Sequence, residues 1–336
     1  LDEEWNYKLS QSPVYATRMG VKGYETEWRD NSLEAIKNRV AHSKSILESL
    51  KEFNVENLSE VNQLNLRLFT QLTSNDLEIS KYNRHFLPFG HRGGVQLAHE
   101  DAEVIPLESY DDFSFWIQRL QNLDKRIDQN ITLAEIGLEK GYKPPRVLMD
   151  RVYRQILLQS QSDVLSSPFY KIFIDLPDSI SYENQIILRQ QAQKVIKETV
   201  IPSYKRLEEF FNKKYLKQSR ETVGLYDIPD GREFYEVLAK SFTTTDLSPK
   251  EIHQIGLDEV QRIRGKMEGV IDELKFEGSF KDFLTFLRED ERFYYDSPEE
   301  LFEGYLAVSK RIDPELVKLF GNLPRTPYGL RAIPKE

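Results

Sequence analysis

The sequence contains no cysteine. Disulfides, thiolate zinc ligands and a cysteine nucleophile are therefore excluded. Histidine is scarce, with five residues. No pair stands at i, i+4 with a glutamate beside the first, the pattern that puts two zinc ligands and a water-activating base on one helix face. No Gly-x-Ser-x-Gly elbow is present. Gly90-His91-Arg92-Gly93-Gly94 lacks the Lys-Ser/Thr ending of a phosphate loop. A basic excess is also missing: 46 Lys and Arg face 55 Asp and Glu, a formal net charge of -9. That balance argues against a nucleic-acid partner, which needs a basic face. No apolar run approaches the ~20 residues that span a bilayer. There is no 20–50-residue repeat of the solenoid kind and no low-complexity segment.

What is present is the composition of a folded protein. Hydrophobic residues make up 39%, charged residues 30%, with 17 Tyr and 19 Phe. A core and a wet surface can both be built from this. Apolar spacing of three and four predicts helices nearly throughout. Asn31 with Glu34 opens one to about Phe53, and Ser59 opens the next towards Ile79, giving a helical hairpin. Asp111 to about Ile136 reads as a single helix stopped by Gly141. Tyr182 to about Tyr215 is the longest periodic run, with Pro202 expected to kink it. Ser297-Pro298 opens a helix to Phe320 that Pro314 divides. Gly321 suits a left-handed position after it. The fold class expected is all-α: long antiparallel helices, with a short extended segment near the C-terminus. Length and helix content together predict one elongated helical unit over 1–336, with sub-lobes 1–165 and 180–336.

Three of the five histidines, His85, His91 and His99, fall in the Gly/Pro-containing stretch from Tyr82 to Leu107. Their separations suit no single helix face. His99-Glu100-Asp101-Ala102-Glu103 comes nearest to a metal pattern, with Glu where a second His is needed. It reads as a solvated acidic loop. His253, in the first turn of a helix, reads as polar surface.

The stretch Asp230–Leu274 carries the clearest pattern. Phe234, Leu238 and Phe242 share one helical face. Thr243-Thr244-Thr245 breaks the pattern, because these side chains compete for their own backbone. Ser248, Pro249 and Glu251 then give a sharp helix start. Ile252, Ile255, Val260, Ile263, Met267, Val270, Ile271 and Leu274 mark an apolar stripe about six turns long. Ile255, Val260, Ile263 and Met267 are expected in the core.

The order of residues here resembles the bacterial DUF885 family. Gly231 and Tyr235 are followed by the Thr triplet, by Leu247-Ser248-Pro249-Lys250-Glu251-Ile252-His253, and by Ile255-Gly256-Leu257 with Glu259-Val260-Arg262-Ile263. A second similarity lies at Leu323-Pro324-Arg325-Thr326-Pro327-Tyr328-Gly329-Leu330-Arg331-Ala332-Ile333-Pro334. The resemblance runs from about Trp5 to Glu336. It implies a helical protein whose full-length relatives look like zinc metallopeptidases. Their motif, His-Glu, two residues, then Pro-Gly-His, is absent here. In the family it follows the Arg-Ala-Ile-Pro segment, so the resemblance makes this chain the N-terminal portion of a longer domain. Zinc is then expected in the full-length protein and not in this chain, which alone is expected to be inactive, with a peptide as the full protein's substrate.

Arg325, Tyr328 and Arg331 lie on the proline-fenced segment that the family places before its zinc motif. They are candidates to bind a peptide, since an arginine can grip a carboxylate with two parallel hydrogen bonds. An ion pair pinning the tail to a helix is the alternative. Tyr235 is a weaker candidate. The chain begins at Leu1 rather than Met, which fits a removed signal or lipoprotein leader, with a lipid anchor upstream, or a trimmed tag. The resemblance favours the cell envelope or periplasm, while the missing cysteine suits the cytoplasm equally. The rival reading is a non-enzymatic helical binding or scaffold module of the envelope.

Overall fold

The structure, a computed structural model, describes residues 1–333. Pro334, the last residue of the Arg-Ala-Ile-Pro segment, lies outside the described residues. The fold is all-α, and among the described residues only two isolated backbone bridges and no sheet occur. Chain contacts divide it into two units, Leu1–Pro249 and the residues from Lys250 onward.

The first unit begins with α1 (Asp2–Ser10) and α2 (Pro13–Arg18), then the hairpin of α3 (Leu33–Leu50) and α4 (Glu60–Ser80). Ser32, rather than Asn31, caps α3 by accepting from the Ala35 amide at 3.2 Å. The run expected as one helix from Asp111 is two, α5 (Tyr110–Gln121) and α6 (Leu123–Glu139), separated at Asn122. Ser109 and Asp112 close a reciprocal capping box at the start of α5. α7 (Arg146–Ser160) packs against α9 (Ile201–Phe210), and α5 against α8 (Tyr182–Val195). A π turn, Ile196–Val200, joins α8 to α9, and Pro202 sits in the first turn after it. The wider turn accommodates a ring that has no N–H to give. A second π turn, Phe211–Tyr215, leads into the short α10 (Leu216–Gln218).

These helices bury a large core. Trp116, Leu120, Leu123, Ile127, Val152, Ile156, Tyr204, Leu207, Phe211 and Tyr215 are all sequestered from water. Burying each large aliphatic chain contributes about 1.5–3 kcal/mol. The Tyr204 hydroxyl donates to the Val95 carbonyl at 2.6 Å, so the polar tip is satisfied inside. Residues 165–180, expected to lie between the sub-lobes, fall within this unit, and their Phe169, Tyr170 and Phe173 are buried. A loop rich in aromatics has enough apolar surface to be drawn into the core and does not behave as a linker. A smaller cluster gathers Phe86, Leu133, Tyr142, Ile228 and Phe234, the last from α11 (Gly231–Thr243). At Gly137 of α6 a Cβ would collide with the Phe86 carbonyl, so glycine permits the turn Arg84–Phe86 to lie directly on the helix.

The second unit holds α12 (Pro249–Glu273), α13 (Phe280–Glu289) and α14 (Pro298–Leu316). Ser279 caps α13 with Asp282, and Phe276, Phe283, Phe286 and Phe293 form an aromatic cluster with centroids 5.1–6.0 Å apart. α14 runs unbroken through Pro314 and ends at Leu316, short of Phe320. Gly321 does not take a positive φ. Only Ile271 and Phe283 are buried among the described hydrophobic side chains of this unit. The expected core residues of α12 are open: Ile255 at 48%, Val260 at 67%, Ile263 at 46% and Met267 at 39% exposure. The stripe is real, but a periodic stripe specifies a face that gains from cover and does not supply the cover.

Candidate functional site

A recess of about 560 Å³ opens in the first unit between α1, α3, α4 and the turn that carries His85. A neighbouring recess of about 590 Å³ shares Ile36, Val40, Asp76, Ser80 and His85 with it. The floor is aliphatic, from Ile36, Val40, Leu77 and Leu133. The walls are charged.

α1 supplies Glu4, Tyr7 and Lys8, which helical spacing places on one side. Glu4 is already engaged: His42 Nε2 lies 2.6 Å from Glu4 Oε2, and Lys8 Nζ lies 4.0 Å from Oε1. The His42 ring stacks on Tyr7 with centroids 3.5 Å apart. Burial pushes the Tyr7 hydroxyl above its ordinary value, opposed by Arg39. Arg39 donates to the Asp30 carbonyl at 2.9 Å and to Gln11 Oε1 at 3.3 Å. Burial and then Arg39 hold the His85 imidazole below its usual range.

Arg29 is different. It lines the recess, and its guanidinium has no hydrogen-bond or ion-pair partner among the described residues. Its neighbours in the chain, in contrast, are anchored. Trp28 Nε1 donates to the Arg119 carbonyl at 2.7 Å. Gln129 accepts from the Asn31 amide at 2.9 Å and donates to Asp30 Oδ1 at 2.8 Å. Behind this segment lies a compact cation–aromatic layer. Arg119 is fully buried against Trp28 and Trp116, and Arg126 lies 4.4 Å from the Trp28 ring. Arg119 Nη2 donates to Thr17 Oγ1 and the Tyr24 carbonyl, both at 2.7 Å. Burial holds Arg119 down at about 10, still a cation at neutral pH.

The three clustered histidines serve separate ends. His85 lines the recess. The His91 carbonyl accepts from Gln155 at 3.0 Å. His99 Nδ1 is 3.0 Å from Gln159 Nε2, and its ring packs edge-on against Phe169. The sequence around His99 is not a solvated loop: Val95–Glu103 forms 3-10 turns kinked at Leu97, with Ala98 and Ala102 buried. No group of three or more His, Asp or Glu with metal-binding geometry occurs among the described residues.

The candidates from sequence fall elsewhere. Tyr235, on α11 of the first unit, meets Tyr226 edge-on at 5.4 Å and is 44% exposed. In the second unit Tyr328 Oη bonds to Ser309, 2.8 Å from its hydroxyl and 3.1 Å from its carbonyl. This ties the tail segment to α14. Arg325 and Arg331 are exposed. Arg29, Arg39, Tyr7 and Glu4 had no local signal. They come from three segments that only the fold assembles.

Residues 13–336 match the family described as "Bacterial protein of unknown function (DUF885)". The chain is a DUF885 protein. No curated protein sequence matches this DUF885 chain. A solved structure described as "the putative lipoprotein from Colwellia psychrerythraea" is similar to it, with a TM-score of 0.78 at 21% identity. The match covers 94% of this DUF885 chain and 58% of the Colwellia chain. At that identity the likeness is one of fold.

Proposed function

We propose that this chain is the N-terminal portion of a longer DUF885 protein, that the whole protein is a zinc-dependent peptidase of the bacterial envelope, and that these helices form walls of its substrate cleft. The zinc ligands then lie further along the chain. The observation that carries the reading is the bare apolar side of the second unit. α12 and α14 expose Val260, Ile263, Tyr305, Leu306 and Ile312, an extent of apolar surface that a finished domain covers. The occupant proposed is a following segment of the same chain. The similar structure supports this, because 42% of its length (100% minus 58%) has no counterpart here. The recess of the first unit, open and mixed in polarity, suits a peptide. Arg325, Tyr328 and Arg331 on the second unit, and Tyr235 on the first, are candidates for further substrate contact. A lipid anchor upstream of Leu1 agrees with the description of the similar structure.

The gene beyond Glu336 tests this. The reading expects a His-Glu-x-x-Pro-Gly-His stretch, zinc bound to the whole product, and hydrolysis of a peptide pool that chelation abolishes. Residues 1–336 alone should retain no zinc after dialysis against a mild chelator. One zinc retained per chain would overturn the ligand assignment and make His85, His91 and His99 the first residues to mutate. A reading frame without the motif would favour a helical scaffold.

A further inference from the structure

We propose that Arg29 and Arg39 form a binding site for a carboxylate in the recess between α1, α3 and α4, with the free C-terminus of a peptide as its source. The inference rests on the peptidase reading only for what delivers the carboxylate; the cation pair stands without it.

Three observations converge. First, Arg29 and Arg39 line one recess, and neither makes an ion pair with a carboxylate among the described residues. The acids nearby are otherwise disposed. Glu4 is held by His42 and Lys8. Asp30 Oδ1 accepts from the Ser32 amide and from Gln129. Asp76 on α4 pairs with neither arginine. Second, the Arg39 guanidinium is placed in advance. Two hydrogen bonds hold Arg39, and the chain beside Arg29 is anchored by the Trp28 indole on one side and by the Asn31 amide on the other. A site whose donors are already positioned loses less ordering entropy on binding. Third, Arg39 is half-buried while Arg29 is exposed at the mouth; desolvation first weakens the hold of each on its charge, and the Arg29 charge weakens that of Arg39 further. A carboxylate relieves both costs, and the planar fork of an arginine fits it with two parallel bonds. The aliphatic floor, from Ile36 to Leu133, offers room for the side chains that precede a C-terminus.

The test is calorimetric titration of residues 1–336 at low salt with three probes: N-acetyl-dialanine, its C-terminal amide, and acetate. The acid should bind saturably, and the amide about tenfold or more weakly, since only the acid satisfies two charged donors. Arg29→Gln should weaken the acid by a similar factor. Arg29→Lys should fall between, keeping charge and losing the fork. Because Arg29 has no partner to lose, its variants should keep the wild-type melting temperature, so failure to fold does not confuse the result. Arg39→Gln provides the second variant. Acetate binding as tightly as the dipeptide would support the carboxylate site and assign it to a small acid. Equal binding of acid and amide, or unchanged affinity in Arg29→Gln, would overturn the proposal. Neither outcome touches the zinc test, so the two readings fail separately.

Discussion

The two units are built from helices of the same kind and bury very different amounts of them. α5 and α12 both carry an apolar stripe. In α5 the stripe becomes Phe113, Trp116, Ile117 and Leu120, all buried. In α12 it becomes one buried residue, Ile271, with Val260 at 67% exposure. Both helices carry the local signal; the neighbours differ. α5 has α8 laid along it, whereas the second unit offers α12 little beyond an aromatic cluster at its C-terminal end. Amphipathicity reports what a helix would gain from a partner, and tertiary contact decides whether the gain is realised.

The largest contrast should come from matched truncations. Ile127→Ala, at a fully buried site in α6, should cost about 2–5 kcal/mol by chemical denaturation, from lost burial plus the cavity. A cost near zero would show the first core to be loosely packed.

A smaller effect should appear with pH. Burial holds the His99 imidazole below its ordinary value, against the opposing pull of Glu100, Glu103 and Asp101. A depressed folded value means that the unfolded chain takes the proton first. The His99 contribution is thus fully present above about 6.5 and is lost as pH falls through the folded value. Thermal melts from about pH 7.5 to about pH 5.5 should decline, and His99→Gln should flatten the decline. A wild-type midpoint that rises on acidification would contradict the burial of this ring.

The smallest effect belongs to the second unit. Ile263→Ala should change the stability of residues 1–336 by less than about 0.5 kcal/mol, as at other open positions. A loss of several kcal/mol would mean that the stripe is covered after all.

Much of the fold was legible because its signals are local. Ser59, Ser297 and the α3–α4 hairpin follow from caps and period. Asn122 was missed because the break between α5 and α6 keeps the apolar pattern in phase. The left-handed turn expected at Gly321 failed because α14 stops at Leu316, before the glycine can cap it. The recess was illegible for another reason. Arg29 lies in an irregular stretch with no periodicity, and its interest depends on having no partner, which sequence cannot express. Tyr328 was singled out for its segment; its bond to Ser309 shows a structural tie that spacing could not have supplied.

The central proposal is that α12 and α14 present a face made for a segment beyond Glu336. Amide hydrogen exchange tests it most directly, comparing residues 1–336 with the whole gene product. The account predicts slow exchange in α5, α6 and α9 in both, and fast exchange in α12 and α14 that becomes slow only in the whole product. Equal protection of α12 and α14 in the two, or a reading frame that stops at Glu336, would contradict it.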